Sequence, residues 1–228
     1  MDFVTTDIHG DEKRFHKLLD KICLRSEDTL YILGDIIDRK EHGISLLFEI
    51  MAMPNAQVIL GNHDTMLLEY ARNGRTSRLG ALWFCNHNEQ TSRDFDSLSK
   101  SKKQELIAYL DSLPLSMDIE SGGKKYHLVH GFPSDDDFTK LWSRPTAETV
   151  SPFDDRIVLI GHTPTCLITH PDMFKRERYL RQLKRQKDHL KIYHGNGWID
   201  IDCACGYRGV HGALACLCLD TMEEIYVR

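Results

Sequence analysis

Three times in its first 72 residues the chain runs a short β-branched stretch into a polar cluster and then into an amphipathic helix. No other feature limits the fold as much. Residues 3–6 lead to Phe15, Leu18, Leu19 and Ile22, which recur at the i, i+3, i+4, i+7 spacing of one helix face. Residues 30–33 lead to Ile44, Leu47, Phe48 and Met51 at the same spacing, and residues 58–60 lead to a third helix over 65–72. Strands alternating with helices predict crossover units and a parallel sheet. In such a sheet the polar residues after each strand collect along one edge, which is where open α/β folds bind ligands.

Beyond residue 113 the grammar changes. Gly122-Gly123 between apolar runs at 115–119 and 126–129 predicts a tight hairpin. Residues 156–160 read as a further strand ending in Gly161-His162-Thr163, and 199–203, 213–219 and 224–227 read as closing strands. The polar stretch 74–113 reads as helices and loops capping the sheet. No linker or low-complexity stretch interrupts the chain, so the expectation is one domain over 1–228 with a basic helical insertion around 170–195.

Composition narrows the functional classes. At 228 residues the chain can bury ~70% of its unfolded surface and needs no staple to fold. Acidic residues outnumber basic ones 34 to 29, so the footprint of a general nucleic-acid binder is missing. No apolar run approaches ~18 residues, and no membrane association is expected. The seven cysteines are an odd number in a long chain, and the N-terminus shows no secretory pattern. A reducing cytoplasm is the expected location.

Five short motifs each end a predicted strand: Asp7-Ile8-His9-Gly10, Gly34-Asp35-Ile36-Ile37-Asp38-Arg39, Gly61-Asn62-His63-Asp64, His130-Gly131 and Gly161-His162-Thr163. Asp35 follows Asp7 by 28 residues and Asn62 follows Asp35 by 27, about one crossover unit each. One edge would then receive more oxygen and imidazole ligands than a single ion can use. Such donors without thiolate suit manganese, iron or zinc. Asp35, in the middle, is the natural bridge between two ions held ~3.5–4 Å apart.

This ordered set resembles the phosphoprotein phosphatase family of calcineurin-like metallophosphoesterases, in particular its small prokaryotic and phage serine/threonine phosphatases. The resemblance implies an α/β fold of two mixed β-sheets sandwiched between helices. It assigns Asp7, His9 and Asp35 to a first metal and Asp35, Asn62, His130 and His162 to a second, with manganese the first choice and iron or zinc as alternatives. His63 would be the catalytic acid, Asp38 its orienting partner, and Arg39 a phosphate clamp. Leu141-Trp142-Ser143-Arg144 resembles a family segment that makes Arg144 the second clamp. Cys205-Gly206 and the following loop resemble the rim of the active site.

Two positions depart from the family pattern. Lys40 follows the Asp-Arg pair where glycine is usual, which predicts a reshaped turn and one added positive charge. Asp64 stands where protein phosphatases usually carry Glu, as in the related symmetrical dinucleoside tetraphosphate hydrolases. Those enzymes usually lack a carboxylate at the position of Asp38. The implied activity is hydrolysis of phosphoserine or phosphothreonine monoesters, in phosphorylated proteins or small substrates, by a hydroxide bridging two divalent ions. The alternative is hydrolysis of a dinucleoside tetraphosphate or another small phosphoanhydride on the same site.

Other features carry weaker expectations. Cys203, Cys205, Cys216 and Cys218 allow a zinc reading, though their spacing suits core residues better. His16, His42, His87, His127, His170, His189 and His194 stand outside any motif and read as surface or satisfied core residues; His211 falls in the rim loop. Residues 175–191 read as a basic amphipathic helix with Tyr179, Leu180, Leu183 and Leu190 on its buried face, and its charged face could receive an acidic partner.

Overall fold

The computed structural model describes residues 1–207 and 211–228. β1 (Asp2–Thr5), β2 (Thr29–Ile32) and β3 (Ala56–Val58) pair in parallel, linked by α1 (Glu12–Ile22) and α2 (Gly43–Met51), as the repeat predicts. α3 (Asn62–Asn73) follows β3. It starts three residues earlier than the periodicity suggests, because the Gly61-Asn62-His63-Asp64 motif is itself the first turn of the helix. β3 likewise ends at Val58, since Leu60 N–H already bonds outside the sheet, to the Pro114 carbonyl.

α4 (Arg78–Trp83), α5 (Glu89–Ser97) and α6 (Lys100–Ser112) form the expected cap. β4 (Ser116–Ser121) and β5 (Lys124–Val129) make the hairpin, with Gly122 and Gly123 both at positive φ as a two-residue turn requires. α7 (Asp137–Trp142), β6 (Ile157–Ile160), α8 (Thr165–Thr169), α9 (Met173–Gln186), β7 (Tyr193–His194), β8 (Trp198–Asp200), β9 (Leu214–Cys218) and β10 (Glu224–Val227) complete the chain. β8 stops at Asp200, short of the expected 203, and β7 carries no strand signal in the sequence.

The strands form two mixed five-stranded sheets, ordered β10-β9-β1-β2-β3 and β4-β5-β6-β8-β7. Alternation sorts their side chains into layers. Phe3, Leu30 and Ile32 face the helices with Phe15, Leu18 and Leu47, whereas Val4, Leu33, Leu128, Leu159 and Leu217 fill the space between the sheets. Val129, Val158 and Ile160 pack outward on Trp198 and Ile168. No helix among the described residues is long and apolar enough to cross a membrane.

α9 is basic and amphipathic, but it ends at Gln186 where Lys187 turns left-handed. Leu183 is buried beneath it and Tyr179 and Leu180 are half-buried. Leu190, expected on the same helix face, is buried beyond the helix end. The four late cysteines separate between two core layers: Cys203 lies between the sheets, and Cys205, Cys216 and Cys218 lie under the helices. No metal-ligating group among the described residues contains them.

The two sheets bring the ends of β1, β2, β3, β5 and β6 to one edge, and the loops there touch backbone to backbone. Gly34 has φ +87°, and a Cβ on it would land on the backbone of Gly61. Gly34→Ala is therefore expected to cost more than about 2 kcal/mol in urea unfolding. Gly123→Ala, also at positive φ (+72°) in the hairpin turn but with open space around it, should cost only about 1 kcal/mol. Equal losses would show that conformation alone, and not loop contact, makes Gly34 necessary.

Candidate metal and phosphate site

All six expected ligands and His63 converge at this edge, each at most 5% exposed. Asp7 and His9 follow β1, Asp35 follows β2, Asn62 and His63 open α3, and His130 and His162 follow β5 and β6. Asp35 divides its two oxygens. Oδ2 lies 3.7 Å from His9 Nε2, and Oδ1 lies 3.4 Å from His130 Nε2. Asp7 Oδ1 stands 3.6 Å from His9 Nε2, and Asn62 Oδ1 is 3.0 Å from His130 Nε2 and 2.9 Å from His162 Nδ1. Two groups of potential ligands result, His9-Asp35-His63 and Asp35-His130-His162, sharing Asp35.

Backbone carbonyls set the imidazole tautomers. His9 Nδ1–H donates to Ile37 O (2.9 Å) and His130 Nδ1–H donates to Leu33 O (2.6 Å), so each presents a bare Nε2 to the cluster. His9 Nε2 is buried with no protein partner. The His130 lone pair faces two oxygen acceptors, an arrangement that is repulsive unless a positive charge lies among them. The same demand appears in the titration of His130. Burial opposes its charged form, but Asp35 and Asp7 outweigh it and push the pKa up to about 9. Burial holds His9 low, helped by Arg39, and holds His162 at about 3, helped by His130 and Arg144. Although burial disfavours their charge, the surrounding imidazoles bring Asp7 down to about 2 and Asp35 well below its usual range. Ionised carboxylates beside the neutral imidazoles of His9 and His162 are donors that divalent cations need, and a cation held there would take over the positive charge that His130 otherwise supplies.

The backbone around these groups is strained. Asp7, His9, Asp35, Asp38, Arg39 and His162 all have φ between 50° and 73°. Such residues are costly and gather where the surroundings over-determine them. Here the restraints are visible: Asp7 N–H donates to Gly34 O, His9 N–H to Asp35 O, His63 N–H to Asp35 Oδ1 (2.9 Å) and His162 N–H to Asp7 Oδ2 (2.9 Å). Asp38 and Arg39 are the left-handed residues, Lys40 has no positive φ, and its ammonium stands 3.9 Å from Asp11.

A sequence model of the calcineurin-like phosphoesterases matches residues 3–202. The chain belongs to that family. Members use a dimetal centre, and the two ligand groups sharing Asp35 fit one. A symmetrical bis(5'-nucleosyl)-tetraphosphatase of Acidovorax ebreus is 32% identical over 127 residues, which cover 54% of this chain and 41% of that protein. The match thus spans well under half of that relative's length. Serine/threonine-protein phosphatase 2 of Salmonella typhimurium is 26% identical over 155 residues, 62% of this chain and 67% of its own. A solved metallophosphoesterase from Sphaerobacter thermophilus shares the fold with a TM-score of 0.56 at 17% identity, covering 100% of this chain and 87% of that one.

His63 Nδ1 lies 2.6 Å from Asp38 Oδ2, and both are buried. Burial lowers a histidine pKa, but the charges of Asp35 and Asp38 override it and the pKa of His63 rises. Arg39 Nη2 is 3.4 Å from His63 Nε2, while its Nη1 is buried without a partner. Arg144 donates through Nη1 to the His162 carbonyl (3.0 Å). His211 lies elsewhere, around a cavity with Arg14, Lys187 and Arg228. Residues 208–210 of the expected rim loop lie outside the described residues. Of the histidines outside the motifs, His127 and His194 meet carboxylates at the surface, and His189 is buried with Nδ1 on the Leu190 carbonyl.

The cap does more than the sequence suggests. Trp83 Nε1–H donates to Asp38 Oδ2 (2.8 Å), Thr91 Oγ1 accepts from Asp38 N–H, and the His87 carbonyl accepts from Arg39 N–H. Tyr207 stacks on the Arg39 guanidinium at 4.2 Å. The one available signal was Trp83 itself, since a buried indole N–H needs an acceptor.

Asp64 is not turned to the cluster. Its Oδ2 accepts from Asp35 N–H (2.8 Å) and Gly61 N–H (3.1 Å), and burial together with the Asp35 charge pushes it up to about 7. Folding raises this pKa, so the contribution of Asp64 to stability is present below about pH 4 and lost as pH rises through about 7. Asp64→Asn keeps an acceptor for both N–H groups and has no charge to acquire. In chelator-treated protein, its melting temperature relative to the parent is expected to climb between about pH 4 and 7 and then level off. A difference that does not vary with pH counts against a protonated Asp64.

Proposed function

We propose that this phosphoesterase hydrolyses phosphate monoesters whose leaving group is an alcohol, with phosphoserine and phosphothreonine in proteins as the substrate class. The observation that carries this reading is the buried His63–Asp38 pair at 2.6 Å. An alkoxide is a poor leaving group and needs a proton; a nucleotide anion leaves without one.

Asp7, His9 and Asp35 would hold one divalent ion and Asp35, Asn62, His130 and His162 the other. When bound, the ions supply positive charge to the phosphoryl group and make water acidic enough to attack at neutral pH. The protein does the rest. Arg39 offers its unpartnered Nη1, and Arg144 the remainder of its fork, to the equatorial phosphate oxygens, a geometry that guanidinium matches in pairs. His63 delivers the proton from Nε2 to the departing oxygen while Nδ1–H stays on Asp38, and Trp83 and Thr91 keep Asp38 in place. The exposed basic side of α9 would favour acidic phosphorylated segments by charge.

A second reading, hydrolysis of dinucleoside tetraphosphates, draws support from the similarity to tetraphosphatases and from Asp64. The position of Asp64, bonded to the loop that carries Asp35, gives it a structural role under either reading. Phosphopeptides and dinucleoside tetraphosphate compared on metal-replete enzyme test the choice. The expected order of kcat/KM is phosphopeptide first, with Asp38→Ala narrowing the gap. Faster cleavage of the dinucleotide, unaffected by Asp38→Ala, selects the second reading. His63→Asn is expected to lower kcat on alkyl phosphates by about 10²-fold or more and on aryl phosphates far less; equal losses remove His63 as the acid.

A further inference from the structure

Away from the phosphate site, Glu12 and His16 stand four residues apart on α1 and so share one face of that helix. That face meets α2. His16 Nε2 lies 2.9 and 3.0 Å from the two carboxylate oxygens of Glu49, and one ligand atom each from Glu12, His16 and Glu49 falls within 4.8 Å of the other two. His42, at the start of α2, brings Nδ1 to 3.7 Å from Glu12 Oε2. All four side chains are between 30% and 50% exposed, so an ion can reach them from solvent.

We propose that Glu12, His16 and Glu49 form a three-donor zinc site, with water as its fourth ligand, that clips α1 to α2. An ion pair does not account for the whole cluster. His16 satisfies Glu49, yet the Glu12 carboxylate accepts no hydrogen bond among the described residues although it faces the same point. Two carboxylates and one neutral imidazole carry a charge that one dication balances. Tetrahedral zinc with bonds of about 2.0–2.2 Å spaces its ligand atoms about 3.3 Å apart. The His16–Glu49 distances of 2.9 and 3.0 Å lie close to that value, and the Glu12, His16 and Glu49 ligand atoms all fall within 4.8 Å of one another, so small side-chain rotations bring the three onto one ion. Mixed nitrogen and oxygen donors without thiolate suit zinc, whereas magnesium and calcium call for oxygen alone.

The site has a place in the fold. α1 begins three residues after His9, and α2 begins four residues after Arg39. A zinc ion between them ties together the helices that continue from two of the loops at the phosphate site.

The test is a metal count. Protein saturated with zinc and stripped of loose ions by gel filtration is expected to carry one more zinc per chain than His16→Gln and Glu49→Gln treated identically, by atomic emission. Neither residue belongs to the phosphate site, so both variants should keep their activity on an aryl phosphate, which also shows that they are folded. In competition with a chromogenic chelator, the extra ion should bind the variants more than about 10-fold less tightly. With cobalt in place of zinc, the visible bands of a tetrahedral ion should weaken in both. Equal zinc counts in the parent and in both folded variants overturn the proposal, whatever the phosphate site is found to hydrolyse.

Discussion

Burying Asp7 and Asp35 among imidazoles at the meeting edge of two sheets is costly unless charge is balanced and every backbone group is held. The rest of the structure is organised around that requirement. Asp35, 1% exposed, receives His63 N–H on one oxygen and has its own N–H held by Asp64. Asp7 receives His162 N–H and the Thr6 hydroxyl. Each carboxylate therefore ties its own loop to another loop, and the ligand set cannot open at one point without loosening the next.

The strained residues follow from the same crowding. Three parallel strands of one sheet and two of the other end at nearly one place, and their loops must turn at once to aim side chains inward. Left-handed conformations at six non-glycine residues accomplish this, each at a local cost of about 1–3 kcal/mol. Apolar layers on both faces of the first sheet hold the strands while the loops bear the strain. Close loop approach also explains why Gly61 and Gly161 carry no side chain, since a Cβ would collide with Asp35 and with Thr6 and Asp7 respectively.

Two carboxylates near the centre take opposite roles because their surroundings differ. Asp38 faces an imidazole and an indole N–H, and there it favours a charged His63. Asp64 faces two backbone N–H groups and the negative Asp35, and it is driven toward the neutral form. One carboxylate favours a charged imidazole; the other braces a loop. Under the proposed function, this contrast bears on the class of leaving group.

Much of this architecture was legible in the residues. Apolar spacing in the first third exposed the parallel crossover units, and Gly122-Gly123 exposed the hairpin, because both signals are local: a repeat reports which face of an element is buried, and a turn reports its own dihedrals. The ligand motifs were legible for a related reason, since each sits directly after its strand. The bond from Trp83 to Asp38, the left-handed turn at Asp38 and Arg39, the inward role of Asp64, the distribution of the cysteines between two layers and the approach of Glu12 and His16 to Glu49 were not. Each depends on which segments, distant in the chain, the packing of two sheets brings within a few ångströms. Local patterns in the residues specify the elements and the chemistry at their ends; packing specifies which of those groups share a charge, a proton or a neighbour, because those energies depend on distances that no local pattern encodes.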